Sequence, residues 1–275
     1  MEAAFFDLDK TIVARSALLA FGRPLYREGL LSRRMIVRGA YAQVVFMLLG
    51  AGEQRMEKMR SAMLALTRGW SREHVAEIVR ETLGDVVAPI VYAEAINLMR
   101  QHQEEGRLVV IVSSSPDEVV QPMAAHLGVD VAISSRAEVD DAGAYTGRLA
   151  FYAYGPGKVA AMHALAAERD IDLRVSYAYS DSVTDLPMLE AVGHPVAVNP
   201  DRDLARIARE RDWEVLTFRE LVGLPSDQAV DHGMRTRLRL VGAATLAGVA
   251  VGVATIAGIV WRRGRGRAQM PARRS

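Results

Sequence analysis

The chain has 275 residues, half of them hydrophobic, with 34 basic side chains against 33 acidic ones and no cysteine. That composition excludes a disordered or fibrous protein, disulfides, thiolate metal sites and a cysteine nucleophile. The near-neutral total is unevenly spread: from Gln228 onward nine arginines face one acid, a net of +8, leaving the preceding body at −7 and excluding a basic nucleic-acid-binding surface there.

Ala3–Phe6 is a short apolar run that breaks at Asp7. No basic stretch precedes it and it is too short for a secretory signal, so the body is expected to stay on the cytoplasmic side where it is made. Between Ala17 and Pro89 there is helical periodicity but no strand pattern, broken at Gly22-Arg23-Pro24, Gly29, Gly50–Gly52 and Gly69. The spacing predicts an all-helical insert over 17–89. Within it, Ala40–Gly52 is an apolar run interrupted only by Gln43, suited to packing inside the insert, lining a greasy substrate cleft or touching a bilayer.

Val86–Glu105 reads as one helix stopped by Gly106. Leu108–Val112 is a continuous apolar strand ending in Ser113-Ser114-Ser115-Pro116, and Pro116 suits the first turn of a helix running to Leu127-Gly128. Val131–Ile133 is a further short strand, and Glu138–Leu149 reads as a β-hairpin around Asp141-Ala142-Gly143. Lys158–Arg169 is an alanine-rich helix, and Val175–Tyr179 a strand leading to Ser180-Asp181. Pro195–Val198 and Trp213–Leu216 are strands with a helix, Asp201–Arg211, between them. Strands alternating with helices predict a Rossmann-like parallel α/β sheet, with a core from 1–16 and 90–222, the helical insert at 17–89 and a basic linker at 223–239.

Leu240–Trp261 is 22 residues without a charge or proline. As a helix it is roughly 33 Å long, enough to cross a hydrocarbon core of about 30 Å. Arginines flank it on both sides and Trp261 stands at one end, the pattern of a transmembrane helix followed by a basic tail at 262–275. The expectation is a single-pass protein of the cell membrane. Ala244, Gly248 and Gly252 form a small-residue ridge on which two copies could pack as a homodimer.

In open parallel sheets ligands bind at the carboxyl ends of the strands. Those ends carry Asp7 and Asp9, then Ser113, then Asp181 and Asp185, and Lys158 opens an intervening helix. Converging carboxylates imply a bound cation, and oxygen ligands suit Mg²⁺, which keeps some of its waters. A lysine and a serine hydroxyl facing the same point suit a phosphoryl group. Only three of the 34 basic residues are lysines (Lys10, Lys58 and Lys158), and two of these fall near the strand ends. In a chain that otherwise uses arginine, this suggests that the ammonium group itself is wanted.

Phe5-Phe6-Asp7-Leu8-Asp9-Lys10-Thr11 resembles the DxDx(T/V) signature of the haloacid dehalogenase superfamily. Val109–Ser113, Lys158 and Ser180-Asp181-Ser182-Val183-Thr184-Asp185 resemble its second, third and fourth motifs, in order, over about residues 1–220. The helical insert lies where a type 1 cap lies, and the whole resembles the phosphoserine-phosphatase-like subfamily IB.

The resemblance implies a Mg²⁺-dependent phosphatase acting on a small-molecule or lipid phosphate monoester. Asp7 would be the nucleophile that becomes an aspartyl-phosphate, and Asp9 the acid and base. Ser113 and Lys158 would hold the phosphoryl oxygens. The metal would take the Asp7 side chain, the Asp9 carbonyl and Asp181, with Asp185 in support. Phosphoserine phosphatases carry a glutamate nine residues after the nucleophile and two glycines after the motif-two serine. Here Ser16 and Ser114-Ser115 stand in those places, so phosphoserine is an unfavoured substrate. A phosphotransferase with an acceptor other than water and a non-catalytic membrane scaffold are the alternatives.

Overall fold

The computed structural model describes residues 1–33, 35, 61–62, 64–129 and 131–222. Strand β1 (Ala3–Phe6) is buried on both faces. Ala3 and Phe5 join an apolar layer with Val110, Val112, Met162 and Met188, whereas Ala4 and Phe6 join one with Ile111, Met99, Val120 and Met123. A strand covered on both sides has to be apolar throughout. Asp7, the first residue that is not, marks where the chain leaves the sheet.

Strands β2 (Leu108–Pro116) and β5 (Tyr177–Ser180) flank β1 in parallel, with Phe6 level with both Ile111 and Tyr179. Outside β2 lies β3 (Val131–Val139), followed by β4 (Tyr145–Phe151), which folds back antiparallel as the expected hairpin. Outside β5 lie β6 (His194–Val198) and β7 (Glu214–Leu216), both parallel. The sheet order is β4-β3-β2-β1-β5-β6-β7.

Helices cover both faces. Among the described residues these are α1 (Ala17–Ala20), α2 (Gly22–Arg27), α3 (Arg72–Val87), α4 (Ala93–Glu104), α5 (Asp117–His126), α6 (Pro156–Arg169), α7 (Leu186–Glu190) and α8 (Arg202–Glu210). Val79, Met99 and Met123 seat α3, α4 and α5 on the Phe6 side, while Met162, Leu189 and Leu204 seat α6, α7 and α8 on the Phe5 side. This is the Rossmann-like arrangement expected.

Three local expectations are corrected. Val86–Glu105 is not one helix: α3 ends at Val87, a 3-10 turn spans Ala88–Ile90, and α4 begins at Ala93. Pro89 has no N–H with which to continue the α3 ladder. Val91 instead pairs with Val13, and the Tyr92 N–H donates to the Ile12 carbonyl at 2.9 Å. Strand β3 runs past Ile133 to Val139 because its second half pairs with β4. Strand β5 starts at Tyr177 rather than Val175, since Leu173–Val175 forms a 3-10 turn capped by the Asp172 carboxylate.

Within the described parts of 17–89, α1, α2 and α3 are helices and Ser71 forms an isolated β-bridge with Ala144. Ala40–Gly52, the linker at 223–239, the expected span Leu240–Trp261 with its Gly248/Gly252 ridge, and the tail lie outside the described residues. Among the described residues, no helix is long and apolar enough to cross a membrane.

Candidate active site

The structure brings the strand-end residues together at the carboxyl edge of the sheet. Asp7 follows β1, and its backbone N–H donates to the Tyr179 carbonyl at 2.9 Å, extending the β1–β5 ladder by one bond. Behind it Phe6 stacks on Tyr179, with ring centroids 4.3 Å apart, and Tyr179 Oη lies 2.8 Å from His102 Nε2. His102 is therefore a packing residue. Burial, then the Arg107 charge, lowers its pKa to about 4, so its ring is neutral at physiological pH.

Lys158 reaches the site because of the turn before it. Gly155 adopts φ +50°, Pro156 occupies the first turn of α6, and a Cβ on Gly157 would lie 2.2 Å from the Tyr152 carbonyl oxygen. Only glycine lets the helix start this close to the preceding loop. The Lys158 ammonium, buried, then donates to Asp7 Oδ1 at 2.6 Å and to Asp185 Oδ2 at 2.8 Å. Burial pulls the lysine's pKa down, but the charges of Asp7 and Asp185 outweigh it and hold the pKa above the ordinary lysine value. Burial pushes the Asp7 carboxyl well above the usual carboxylate range; Lys158 opposes that shift and the Asp185 charge adds to it.

Asp185 has a second partner at the same oxygen, Ser180 Oγ at 2.7 Å. Ser180 stands where the fourth motif usually has glycine, and its hydroxyl also accepts the Ser182 N–H at 3.3 Å. Asp201 was another residue without a sequence role beyond opening a helix. Its Oδ2 accepts from Val183 N–H (2.9 Å) and Ser182 Oγ (3.1 Å), and its N–H donates to the Asp181 carbonyl at 2.7 Å. It thus ties the Asp181–Asp185 loop to the start of α8.

Asp181 is buried and its pKa is pushed up to about 6, chiefly by burial, with Lys10 opposing the shift from 3.7 Å. Ser113 is buried, and its Oγ accepts the Ser115 N–H at 3.1 Å. Asp9 turns its carboxyl away from Lys158: Oδ1 accepts the Ala17 N–H at 2.8 Å and Oδ2 accepts from Ser115 Oγ at 3.4 Å.

Among the described residues, no three Asp, Glu or His side chains converge as a metal cage. The reason is visible: Lys158 stands between Asp7 and Asp185, and the Asp9 carboxyl is held by Ala17 and Ser115. The donor chemistry still fits a hard divalent cation. Asp7, Asp9, Asp181 and Asp185 are opposed by one buried ammonium and by Lys10, whose side chain is 68% exposed. Two carboxylates, a backbone carbonyl and waters form a ligand set that Mg²⁺ accepts.

The chain is similar to several known proteins. Over 222 residues, 81% of this chain and 77% of the other, it is 50% identical to a probable phosphatase of Mycobacterium tuberculosis. It is 47% identical to an inhibition of morphological differentiation protein of Streptomyces azureus, covering 98% of this chain and 95% of that one. A phosphoserine phosphatase of Mycobacterium tuberculosis is 35% identical over 83% of this chain and 76% of its own. Residues 4–190 match the haloacid dehalogenase-like hydrolases, and the chain belongs to that family.

Proposed function

We propose that this chain is a Mg²⁺-dependent phosphomonoesterase, working through an aspartyl-phosphate on Asp7 and tethered to the membrane by Leu240–Trp261. The observation that carries the reading is the buried Lys158 ammonium between Asp7 Oδ1 and Asp185 Oδ2, with Ser113 buried on β2, the strand paired with β1. A buried carboxylate beside a fixed cation at a strand end suits attack on a phosphorus whose own charge needs neutralising. The phosphatase names of two relatives point the same way.

Lys158 holds Asp7 by Oδ1, which leaves Oδ2 to form the bond to phosphorus as the ester oxygen departs. Ser113 and Lys158 hold the phosphoryl oxygens. Asp9 gives its proton to the departing alcohol, then takes one from the water that attacks the Asp7 phosphoryl and releases inorganic phosphate. Mg²⁺, held by the Asp7 carboxylate, the Asp9 carbonyl and Asp181 with Asp185 nearby, would supply positive charge to the phosphoryl oxygens. Asp185, through its bonds to Lys158 and Ser180, keeps the ammonium on Asp7.

The anchor rests on 22 residues free of charge and proline between two arginine clusters. It would place the −7 body at the cytoplasmic face, next to lipid phosphates as well as soluble ones.

Phosphate release measured on the full chain over a panel of esters tests the reading. The panel should hold p-nitrophenyl phosphate, phosphoserine, histidinol phosphate, glycerol phosphates and lysophosphatidic acid. With no carboxylate at Ser16, phosphoserine should turn over more slowly than p-nitrophenyl phosphate. Release of alcohol without equal release of phosphate in the presence of added glycerol would favour phosphoryl transfer over hydrolysis. A chain stopped at Pro225 should stay active on the soluble ester while losing sedimentation with membranes. Turnover of none of these esters would sink the phosphatase reading.

A further inference from the structure

We propose that Ser115, assisted by Ser16, is a positioning residue that orients the Asp9 carboxyl toward the leaving group, and so sets how well the enzyme cleaves esters of poorly departing alcohols. This rests on the phosphatase reading above and deepens it. Three groups from two parts of the chain converge on that one carboxyl. The Ala17 N–H donates to Oδ1 at 2.8 Å and Ser115 Oγ meets Oδ2 at 3.4 Å, and the Ser16 side chain, next to Ala17, opposes the rise that burial causes in the Asp9 pKa.

The three partners are not equivalent. An amide N–H can only donate, so Oδ1 remains an acceptor. A hydroxyl donates to a charged oxygen and accepts from a protonated one. Oδ2, facing Ser115, is therefore the oxygen able to carry a proton without losing its partner. Ser115 is buried, so water does not readily take its place, and its N–H is anchored on Ser113 Oγ at 3.1 Å. The serine that would bind the phosphoryl group and the carboxyl that would protonate the leaving oxygen are thereby joined through one residue of β2. Such linkage fixes the distance between the two ends of the breaking bond.

The two serines also stand at two of the departures from the phosphoserine-phosphatase pattern, which has glutamate and glycine in their places. Here both lie at the same carboxyl. The leaving-group end of the site thus presents neutral hydroxyls, suited to the ester of an uncharged or hydroxyl-bearing alcohol rather than of an ammonium-bearing one.

The test uses the full chain with Mg²⁺ and two esters, p-nitrophenyl phosphate and 2-glycerol phosphate. Nitrophenolate departs without needing a proton, whereas an alkoxide does not, so the ratio of their kcat/KM values reads acid assistance alone. Ser115→Ala should lower kcat/KM on glycerol phosphate by about tenfold or more, part of the hundredfold or greater effect of a general acid, and leave nitrophenyl phosphate within about threefold. Ser115→Thr, which keeps the hydroxyl, should restore the ratio, and Ser16→Ala should shift it less than Ser115→Ala. Equal losses on both esters, or an unchanged ratio, in an active wild type would overturn this proposal and leave the phosphatase reading standing. A wild type silent on both esters would overturn both.

Discussion

Two lysines meet aspartates at the carboxyl edge of the sheet, in opposite surroundings. The Lys158 side chain is 3% exposed and donates to two carboxylates at 2.6 and 2.8 Å; that of Lys10 is 68% exposed and stands 3.7 Å from one. The Lys10 ammonium is already well solvated by water, so its pairing with the buried Asp181 at 3.7 Å resembles the surface pairs that contribute about 0–1 kcal/mol. The buried pair is different in kind. Taking its charges out of water costs several kcal/mol per ion, and a well-packed apolar substitute is often at least as stable. An arrangement of that sort is kept for what it does, and here it holds one oxygen of Asp7 while leaving the other for chemistry.

The comparison is tested most severely at the nucleophile. Asp7→Asn should reduce Mg²⁺-dependent phosphate release on the order of a thousandfold or more, with circular dichroism and chromatographic behaviour unchanged. Substantial turnover by this variant would sink the aspartyl-phosphate. Lys158→Met comes next. It removes the ammonium but keeps much of the volume, leaving Asp7 and Asp185 buried without their shared cation. Breaking a buried pair in this way costs about 3–5 kcal/mol, which chemical denaturation at pH 7 would read. The loss should shrink as pH falls, because the Asp7 carboxyl, whose pKa burial already raises, can then become neutral. A stability loss that does not change with pH would mean that packing, not charge, is what Lys158 contributes.

A smaller effect follows from Asp181. Its folded pKa of about 6 lies above the usual aspartate value, so the folded state binds the proton more tightly than the unfolded one. Its contribution to stability is fully present below about pH 4 and is lost as pH rises through about 6. In EDTA, melting temperature should therefore show a component that falls across pH 4–6. Mg²⁺ binds the ionised site and should raise the melting temperature above pH 6 far more than below pH 4. Equal stabilisation at both pH values would separate the metal from this carboxylate.

Much of this was legible in the sequence. Fully buried strands have to be apolar, so Ala3–Phe6 and Leu108–Val112 announced themselves, and the first polar residue after each run fell at the site. The scarcity of lysine pointed to Lys158. What stayed hidden depends on contacts between distant segments. Nothing local in Val86–Glu105 states that Val91 will pair with Val13 and break the helix after Pro89. Nothing local in the fourth-motif run states that the Ser180 hydroxyl will donate to Asp185. Ser16 and Ser115 looked like two unrelated departures, 99 positions apart, until both were found at Asp9.

The smallest effect belongs to the exposed partner. Lys10→Ala removes a cation that lies 3.7 Å from Asp181 on a largely exposed side chain. A pair whose cation stands in solvent 3.7 Å from its carboxylate is worth about 1 kcal/mol or less and is screened by salt, so the melting temperature at pH 7 should barely move. Lys10 has φ +63°, a left-handed backbone that strains most residues other than glycine and asparagine. Lys10→Gly should therefore be tolerated at least as well as Lys10→Ala, and comparison of the two separates charge from backbone. If both variants lowered stability by several kcal/mol, as Lys158→Met should, exposure would not be what distinguishes the two lysines. If they left stability alone but weakened Mg²⁺ dependence, measured as the metal concentration giving half-maximal thermal protection, Lys10 would belong to the metal site.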